Sequence, residues 1–223
     1  MKVESYKKFE GIFKIDKTLA TINLVPGFRS SNENLIKIKN IEYRSWDYYT
    51  SKPSAALKKG LKKFPIKKGM SILYIGLAEA KTASFFSDIV GKEGTIFGVE
   101  ISERSLRDAI PVCERRGNII PILGDARRPE TYENNVLDKI NVVYEDVASP
   151  DQTQILIRNC MKFLKKDGFA MIAIKSQSID SVKPSKEVYE ECLKEFRKHF
   201  EILDEVELDP YEKNHLFVVM KLK

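Results

Sequence analysis

The sequence predicts an α/β protein in which five parallel strands form a doubly wound sheet, an antiparallel pair brings the strand count to seven, and a small β-rich part precedes it. Three observations carry this. From about residue 70, short β-branched runs alternate with longer helical stretches, and Gly, Pro, Asp or Ser punctuates each break. The last two runs are separated only by residues 209–215, too few for a crossover helix, so they should pair antiparallel. Residues 1 to about 40 instead cluster β-formers around turn signals.

In the front part, residues 9–15 and 19–24 read as strands around Asp16-Lys17, and Pro26-Gly27 marks a further turn. The stretch Tyr43-Arg44-Ser45-Trp46-Asp47-Tyr48-Tyr49 is an aromatic bridge to the second part, with the division placed at 1–45 and 46–223, and 54–63 reads as a lysine-rich helix. The seven strands then fall at 72–75, 95–100, 119–123, 140–145, 169–175, 201–208 and 216–221. Helices fall at 82–90, 106–116, 152–164 and 186–199, the last with Ser185 as its N-cap, and 129–138 also reads as helical. Parallel strands joined by helices make right-handed crossovers, and ligands of such sheets sit at the carboxyl ends of the strands.

The 223 residues, 43% of them hydrophobic, can build a sizeable core and exclude a disordered chain. Lys and Arg number 38 against 32 Asp and Glu, a net charge of +6 with a sequence pI near 9.0. The excess is local, because residues 1–70 hold 16 basic against 6 acidic residues and the remainder 22 against 26. That favours a polyanionic partner and places its contacts in the front third. Cys113, Cys160 and Cys192 are odd in number and lack C-x-x-C spacing, so neither a disulfide framework nor a metal site is expected. The apolar run 169–174 falls far short of the about 20 residues that span a bilayer. The first residues lack the apolar core of a secretory signal, so a cytoplasmic protein with no membrane association is expected.

Chemistry concentrates at the strand ends. Gly76 to Thr82 turns the first of the seven strands into a helix but lacks G-x-G-x-x-G, which disfavours a dinucleotide and with it a nicotinamide-dependent dehydrogenase. Glu100 stands 24 residues after Gly76, near the offset at which a carboxylate accepts hydrogen bonds from a ribose diol. Asp125 follows the third strand, where an adenine amino group can be bound. Gly, Glu and Asp at three successive strand ends point to an adenosine-type ligand, although an ordinary turn and solvated carboxylates would read the same way. The next two strands end in Asp146 and Lys175; if they are neighbours about 4.8 Å apart, the two charges meet at the ligand edge and can orient a hydroxyl, or simply close that edge.

Of the two histidines, His199 ends a helical stretch and His215 opens the final strand, the better functional position. Lysines 58, 59, 62, 63, 67 and 68 read as a solvated helix face or a phosphate-contact surface. Tyr43, Trp46, Tyr48 and Tyr49 read as packing between the two parts more than as a base-stacking platform.

Over essentially its whole length the chain resembles fibrillarin of the archaeal type. The resemblance is carried by Phe9-Glu10-Gly11-Ile12-Phe13, Ala20 to Gly27, Glu42-Tyr43-Arg44-Ser45-Trp46, Ser87 to Gly91, Asn118-Ile119-Ile120-Pro121, Asp146 to Gln152 and Pro210-Tyr211-Glu212-Lys213. It implies a Rossmann-like class I methyltransferase fold and methyl transfer from S-adenosylmethionine to a ribose 2′-hydroxyl of rRNA, and possibly of tRNA. It also implies a box C/D guide RNA, a Nop-domain scaffold protein and a kink-turn-binding ribosomal-type protein as partners, with the target chosen by base pairing. The family's catalytic tetrad falls on Lys52, Asp146, Lys175 and His215, with Lys175 expected nearest the departing proton. Its cofactor positions fall on Lys81, Thr82, Glu100, Ile101, Asp125, Ala126, Asp146 and Ser149, beside Gly76.

The chain departs from the family where the methionine portion of the cofactor belongs. Gly-x-x-Ser-Gly-Thr-Thr is usual there, whereas this chain reads Gly76-Leu77-Ala78-Glu79-Ala80-Lys81-Thr82. Ala80 resists positive φ and Glu79 opposes a carboxylate, with Lys81 as a counter-charge. Ser149 replaces the frequent Gln, and Pro53 the usual Leu. Two readings therefore stand: an active methyltransferase, or an assembly subunit of the same particle with weak or lost cofactor binding. Without base-reading motifs, the chain alone is expected to bind free RNA weakly and with strong salt dependence.

Overall fold

Five short strands build the front part: β1 (Val3–Ser5), β2 (Phe13–Ile15), β3 (Thr18–Ile22), β4 (Leu35–Ile38) and β5 (Ile41–Ser45). This computed structural model describes residues 2–7 and 9–223. Their spatial order is β1-β2-β3-β5-β4, antiparallel throughout. The expected turn at Asp16-Lys17 sets Ile15 opposite Thr18, with Asp16 in the left-handed region at φ 53°. Both strands expected here exist in shortened form, while β1, β4 and β5 were not anticipated. β5 takes in the first half of the aromatic bridge.

Helix α1 (Lys52–Lys59) starts and stops earlier than expected. Pro53 is tolerated in its first turn, where no intrahelical partner is missed, and Gly60 at φ 110° ends it by a left-handed cap. The remaining elements are β6 (Ser71–Ile75), α2 (Lys81–Val90), β7 (Thr95–Glu100), α3 (Glu103–Arg116), β8 (Ile119–Leu123), β9 (Ile140–Glu145), α4 (Gln152–Phe163), β10 (Leu164–Lys175), α5 (Ser176–Ile179), α6 (Ser185–Phe196), β11 (Phe200–Glu207) and β12 (His215–Leu222). Their seven-stranded sheet runs β11-β12-β10-β9-β6-β7-β8. Strands β6 to β10 are parallel, and β12 lies antiparallel between β10 and β11, as the short 209–215 connection required. The strand order reverses beside β6, which opens a crevice at the carboxyl ends of β6 and β9.

Four local expectations change. Residues 129–138 form two 3₁₀ turns, Pro129–Thr131 and Glu133–Asn135, and no α-helix. α3 begins at Glu103 because Ser102 caps it, its hydroxyl accepting from the Ser105 N–H at 3.2 Å. β10 begins at Leu164, directly after α4, because Leu164 pairs with Ile140 before an irregularity ahead of Phe169. Ser185 is the first residue of α6, which ends at Phe196; Pro184 holds the cap position and the Ser185 hydroxyl bonds elsewhere.

The front sheet and α2 share one core. Trp46 is fully buried and stacks on Phe85 with centroids 5.2 Å apart. Next to it Arg44, also fully buried, contacts Glu33 at 2.7 Å and Asp88 at 2.8 Å, and its guanidinium lies over Phe85. Asp88 also holds Arg116 at 2.6 Å and the Thr21 hydroxyl at 2.6 Å. Two guanidiniums and two carboxylates thus balance, which is what makes their burial tolerable. Tyr43 and Trp46 are packing residues, whereas Tyr49 remains 63% exposed.

Candidate active site

The loop after β6 is bent by three residues in the left-handed region. Gly76 has φ 84°, and a Cβ there would lie 2.8 Å from the Asp146 carbonyl oxygen, so glycine is required. Ala78 (φ 49°) and Ala80 (φ 59°) adopt the same region at a cost of roughly 1–2 kcal/mol each. Hydrogen bonds offset that cost: Ala78 N–H donates to Glu100 Oε2 at 2.8 Å, and Ala80 N–H to the Leu77 carbonyl at 2.9 Å. Glu100 accepts with its other oxygen from Ser102 N–H at 2.9 Å. This buried carboxylate therefore braces the loops after both β6 and β7.

These loops, with those after β8 and β9, wall a cavity of about 460 Å³. Of the positions read from the sequence, Gly76, Glu100, Ile101, Asp125, Ala126, Asp146 and Ser149 line it, and Lys175 reaches its edge. Lys81 and Thr82 do not. Lys81 pairs with Glu79 at 2.5 Å and faces a separate hollow between the front sheet and α2, while the Thr82 hydroxyl donates to Ser51 at 3.1 Å. From this loop Gly76 and Ala78 line the cavity, and residues 79–82 do not. Glu79 does not line the cavity either, so its charge is met by Lys81.

Two polar side chains at or beside the cavity were missed in the sequence. Arg127 grips Asp125 with both Nε and Nη2, at 2.8–3.1 Å, and this hydrogen bonding holds the Asp125 carboxyl below its ordinary range. Gln152 is fully buried; its Oε1 accepts from Lys175 N–H at 2.9 Å and its Nε2 donates to the Ser149 carbonyl at 3.0 Å. Arg127 follows Asp125 by two residues, and Gln152 lies in a quoted family segment; those were the available signals. The Ser149 hydroxyl itself is engaged by Asp151.

At the end of β9, Asp146 lies between two lysines. Lys175 Nζ stands 2.9 Å from its Oδ1 and Lys52 Nζ 3.2 Å from its Oδ2. Burial alone would raise the Asp146 pKa, but the two ammonium groups outweigh it and the carboxyl is held below its ordinary value. The adjacent Glu145 shows the opposite: fully buried, with neither oxygen partnered, it is raised well above the usual carboxylate range, first by burial and then by the Asp146 charge. Neighbouring acids at the end of one strand are thus shifted in opposite directions.

His215 lies directly across from Lys175 in the β10–β12 register. Its Nδ1 is 2.7 Å from the Lys213 carbonyl, which can only accept, so Nδ1 carries the proton and Nε2 of the neutral ring is a free lone pair. Burial first, and also the Lys52 and Lys175 charges, lower its pKa, while the Lys213 carbonyl and Glu212 oppose this. Nε2 is buried without a hydrogen-bond partner. All four tetrad positions therefore gather at one edge of the sheet, beside the cavity.

Residues 3–223 match the family model described as Fibrillarin. The chain belongs to the fibrillarin family. It is 49% identical over 220 residues to the fibrillarin-like rRNA/tRNA 2′-O-methyltransferase of Pyrococcus abyssi, covering 96% of each chain. Among solved structures it is similar to the Methanococcus jannaschii fibrillarin pre-rRNA processing protein, with a TM-score of 0.94, 42% identity and coverage of 100% of this chain and 98% of that one. Aeropyrum pernix fibrillarin, solved with natively bound S-adenosyl-L-methionine, matches at TM-score 0.90 and 40% identity over 99% and 98% of the two chains. The fibrillarin of a fibrillarin/Nop5p complex matches at 0.89 and 32%, over 96% and 98%. The seven-stranded sheet with its antiparallel C-terminal hairpin is the class I methyltransferase fold. Among the described residues no helix is long and apolar enough to cross a membrane.

Proposed function

We propose that this chain is the catalytic subunit of a box C/D guide ribonucleoprotein and transfers methyl groups from S-adenosylmethionine to ribose 2′-hydroxyls of rRNA and tRNA. What carries the reading is the Lys52–Asp146–Lys175 arrangement at the rim of the cavity. The cavity residues suit the cofactor: Glu100 has a fixed, charged acceptor pair for a ribose diol, Asp125 and Ala126 suit an adenine, and the Gly76 backbone approaches closely because no Cβ intervenes. Pairing of Glu79 with Lys81 outside the cavity supports this over the rival of an assembly subunit with weak or lost cofactor binding.

When bound, the cofactor supplies an electrophilic sulfonium methyl. The chain's own work is to place the hydroxyl in line with it and to manage one proton. Lys175 and Lys52 stabilise negative charge as it builds on the oxygen, with Lys175 nearest the departing proton. Asp146 holds both ammonium groups in place, and the His215 Nε2 lone pair offers a neutral acceptor at the same edge. The sequence carries no base-reading motif, so target choice falls to the guide RNA. A Nop-domain scaffold and a kink-turn-binding protein complete the particle, whose place of action is the cytoplasm. We read residues 1–45 as its front domain and 46–223 as its catalytic domain, with the exposed lysines 58, 59, 62 and 63 available to RNA phosphates.

Replacing Lys175 or Asp146 by Ala in a reconstituted particle should abolish transfer while assembly persists; undiminished methylation would overturn these roles. Calorimetry with S-adenosylmethionine decides the rival reading, since saturable binding removes it.

A further inference from the structure

We propose that Asn214 is a positioning residue that sets the tautomer of His215 and its place beside Lys175, acting through a latch formed with Ser176 and Ser185. The inference rests on the assignment of His215 to the methyl-transfer site. Ser176 follows Lys175 and Asn214 precedes His215, so the pair joins the two chain ends that carry the basic side of the site. The Asn214 carbonyl accepts from Ser176 N–H at 3.2 Å and from the Ser176 hydroxyl at 3.2 Å. Its side-chain Oδ1 accepts from the Ser185 hydroxyl at 3.1 Å, and the Ser185 and Ser176 hydroxyls are 2.9 Å apart. With one proton per hydroxyl, two of these three hydroxyl contacts are hydrogen bonds at any time, and together with the Ser176 N–H bond they link the end of β10, the start of α6 and the start of β12. Ser176 is fully buried at its centre.

The backbone explains why the residue matters to the imidazole. Asn214 has φ 59°, the left-handed region that Asn tolerates better than other residues with a Cβ. This bend lies between the Lys213 carbonyl and the ring it holds, so it turns that carbonyl onto Nδ1 and leaves Nε2 as the lone pair. Asn214, Ser185 and His215 all border one small hollow of about 230 Å³ that is distinct from the cofactor cavity. The charged groups facing the ring are Lys52, Lys175 and Glu212. None of them fixes the tautomer, because Glu212 is 3.8 Å from Nε2 and the lysines only repel a second proton.

The test pairs a spectroscopic readout with a kinetic one. Ring ¹⁵N shifts of His215, separated from the other histidine by a His199→Gln background, should show a single Nδ1–H tautomer in the unaltered protein. In Asn214→Ala the ring should populate both tautomers, and kcat in the reconstituted particle should fall about tenfold with KM for S-adenosylmethionine unchanged. Asn214→Gly keeps the bend and loses only Oδ1, so it should fall between the two, and Ser185→Ala should match it. Should Asn214→Ala fail to fold, Ser185→Ala carries the test. Wild-type ring shifts and kcat in Asn214→Ala, or in a folded Ser185→Ala, would overturn the proposal. A wild-type particle that transfers no methyl would instead refute the proposed function, while the ring shifts would still decide whether the latch exists.

Discussion

Changing Glu100 to Gln alters one atom and should weaken cofactor binding severely. Both carboxylate oxygens already accept backbone N–H bonds, from Ala78 at 2.8 Å and Ser102 at 2.9 Å. An amide can satisfy only one of them, because its NH₂ group would face the other N–H donor to donor. The loss is one charge-assisted hydrogen bond, about 1.5–3 kcal/mol, before any ligand is considered. That loss is common to the free and the bound chain and lowers stability; the bound ribose diol in addition loses a carboxylate acceptor, a penalty on binding of about 1.5–3 kcal/mol, or roughly 10- to 150-fold in Kd. Isothermal calorimetry with S-adenosylmethionine measures this directly, and scanning calorimetry on the same samples shows whether the fold is kept. If a folded Glu100→Gln binds within threefold of the unaltered chain, Glu100 merely braces two loops and its assignment to the ribose fails.

Gly76→Ala should leave the sheet intact yet lower single-turnover methyl transfer about 100-fold, since a Cβ 2.8 Å from the Asp146 carbonyl must displace that residue and misplaced catalytic groups cost about that much; a loss under threefold would refute the close approach. Acid should loosen the front sheet through Glu33. Burial would raise its pKa, but the Ser31 hydroxyl, the Arg44 guanidinium and the Ser30 N–H lower it to about 2 from 4.5. A depressed folded value means stability that is present above pH 4.5 and lost as the pH falls toward 2, worth about 3 kcal/mol. Glu33→Gln should therefore flatten the acid limb of urea unfolding, and an unchanged limb would contradict the assignment.

The seven-stranded sheet was legible because its central strands are buried on both faces and so read as nearly unbroken apolar runs, as in 72–75 and 140–145. The terminal hairpin followed from loop length alone. β4 and β5 escaped because strands of four and five residues carrying Lys37 and Glu42 look like loop. In the site, Asp146, Lys175 and His215 could be read as strand-end residues, whereas Lys52 came only from family likeness. Lys81 and Thr82, placed by family likeness, do not line the cavity, whose lining from this loop stops at Ala78. The roles of Gln152 and Asn214 were not legible for a further reason. Each acts mainly through hydrogen bonds to the main chain or to hydroxyls of distant segments, and such bonds leave no periodic trace.

Helix α2 follows the loop after β6 at Lys81 and carries, near its far end, the Asp88 carboxylate clasped by Arg44 and Arg116. Tilting or sliding it would tear a charge from its counter-ions in a place water does not reach. The helix is therefore clamped at the end remote from the loop after β6, by one guanidinium from the front sheet and one from α3.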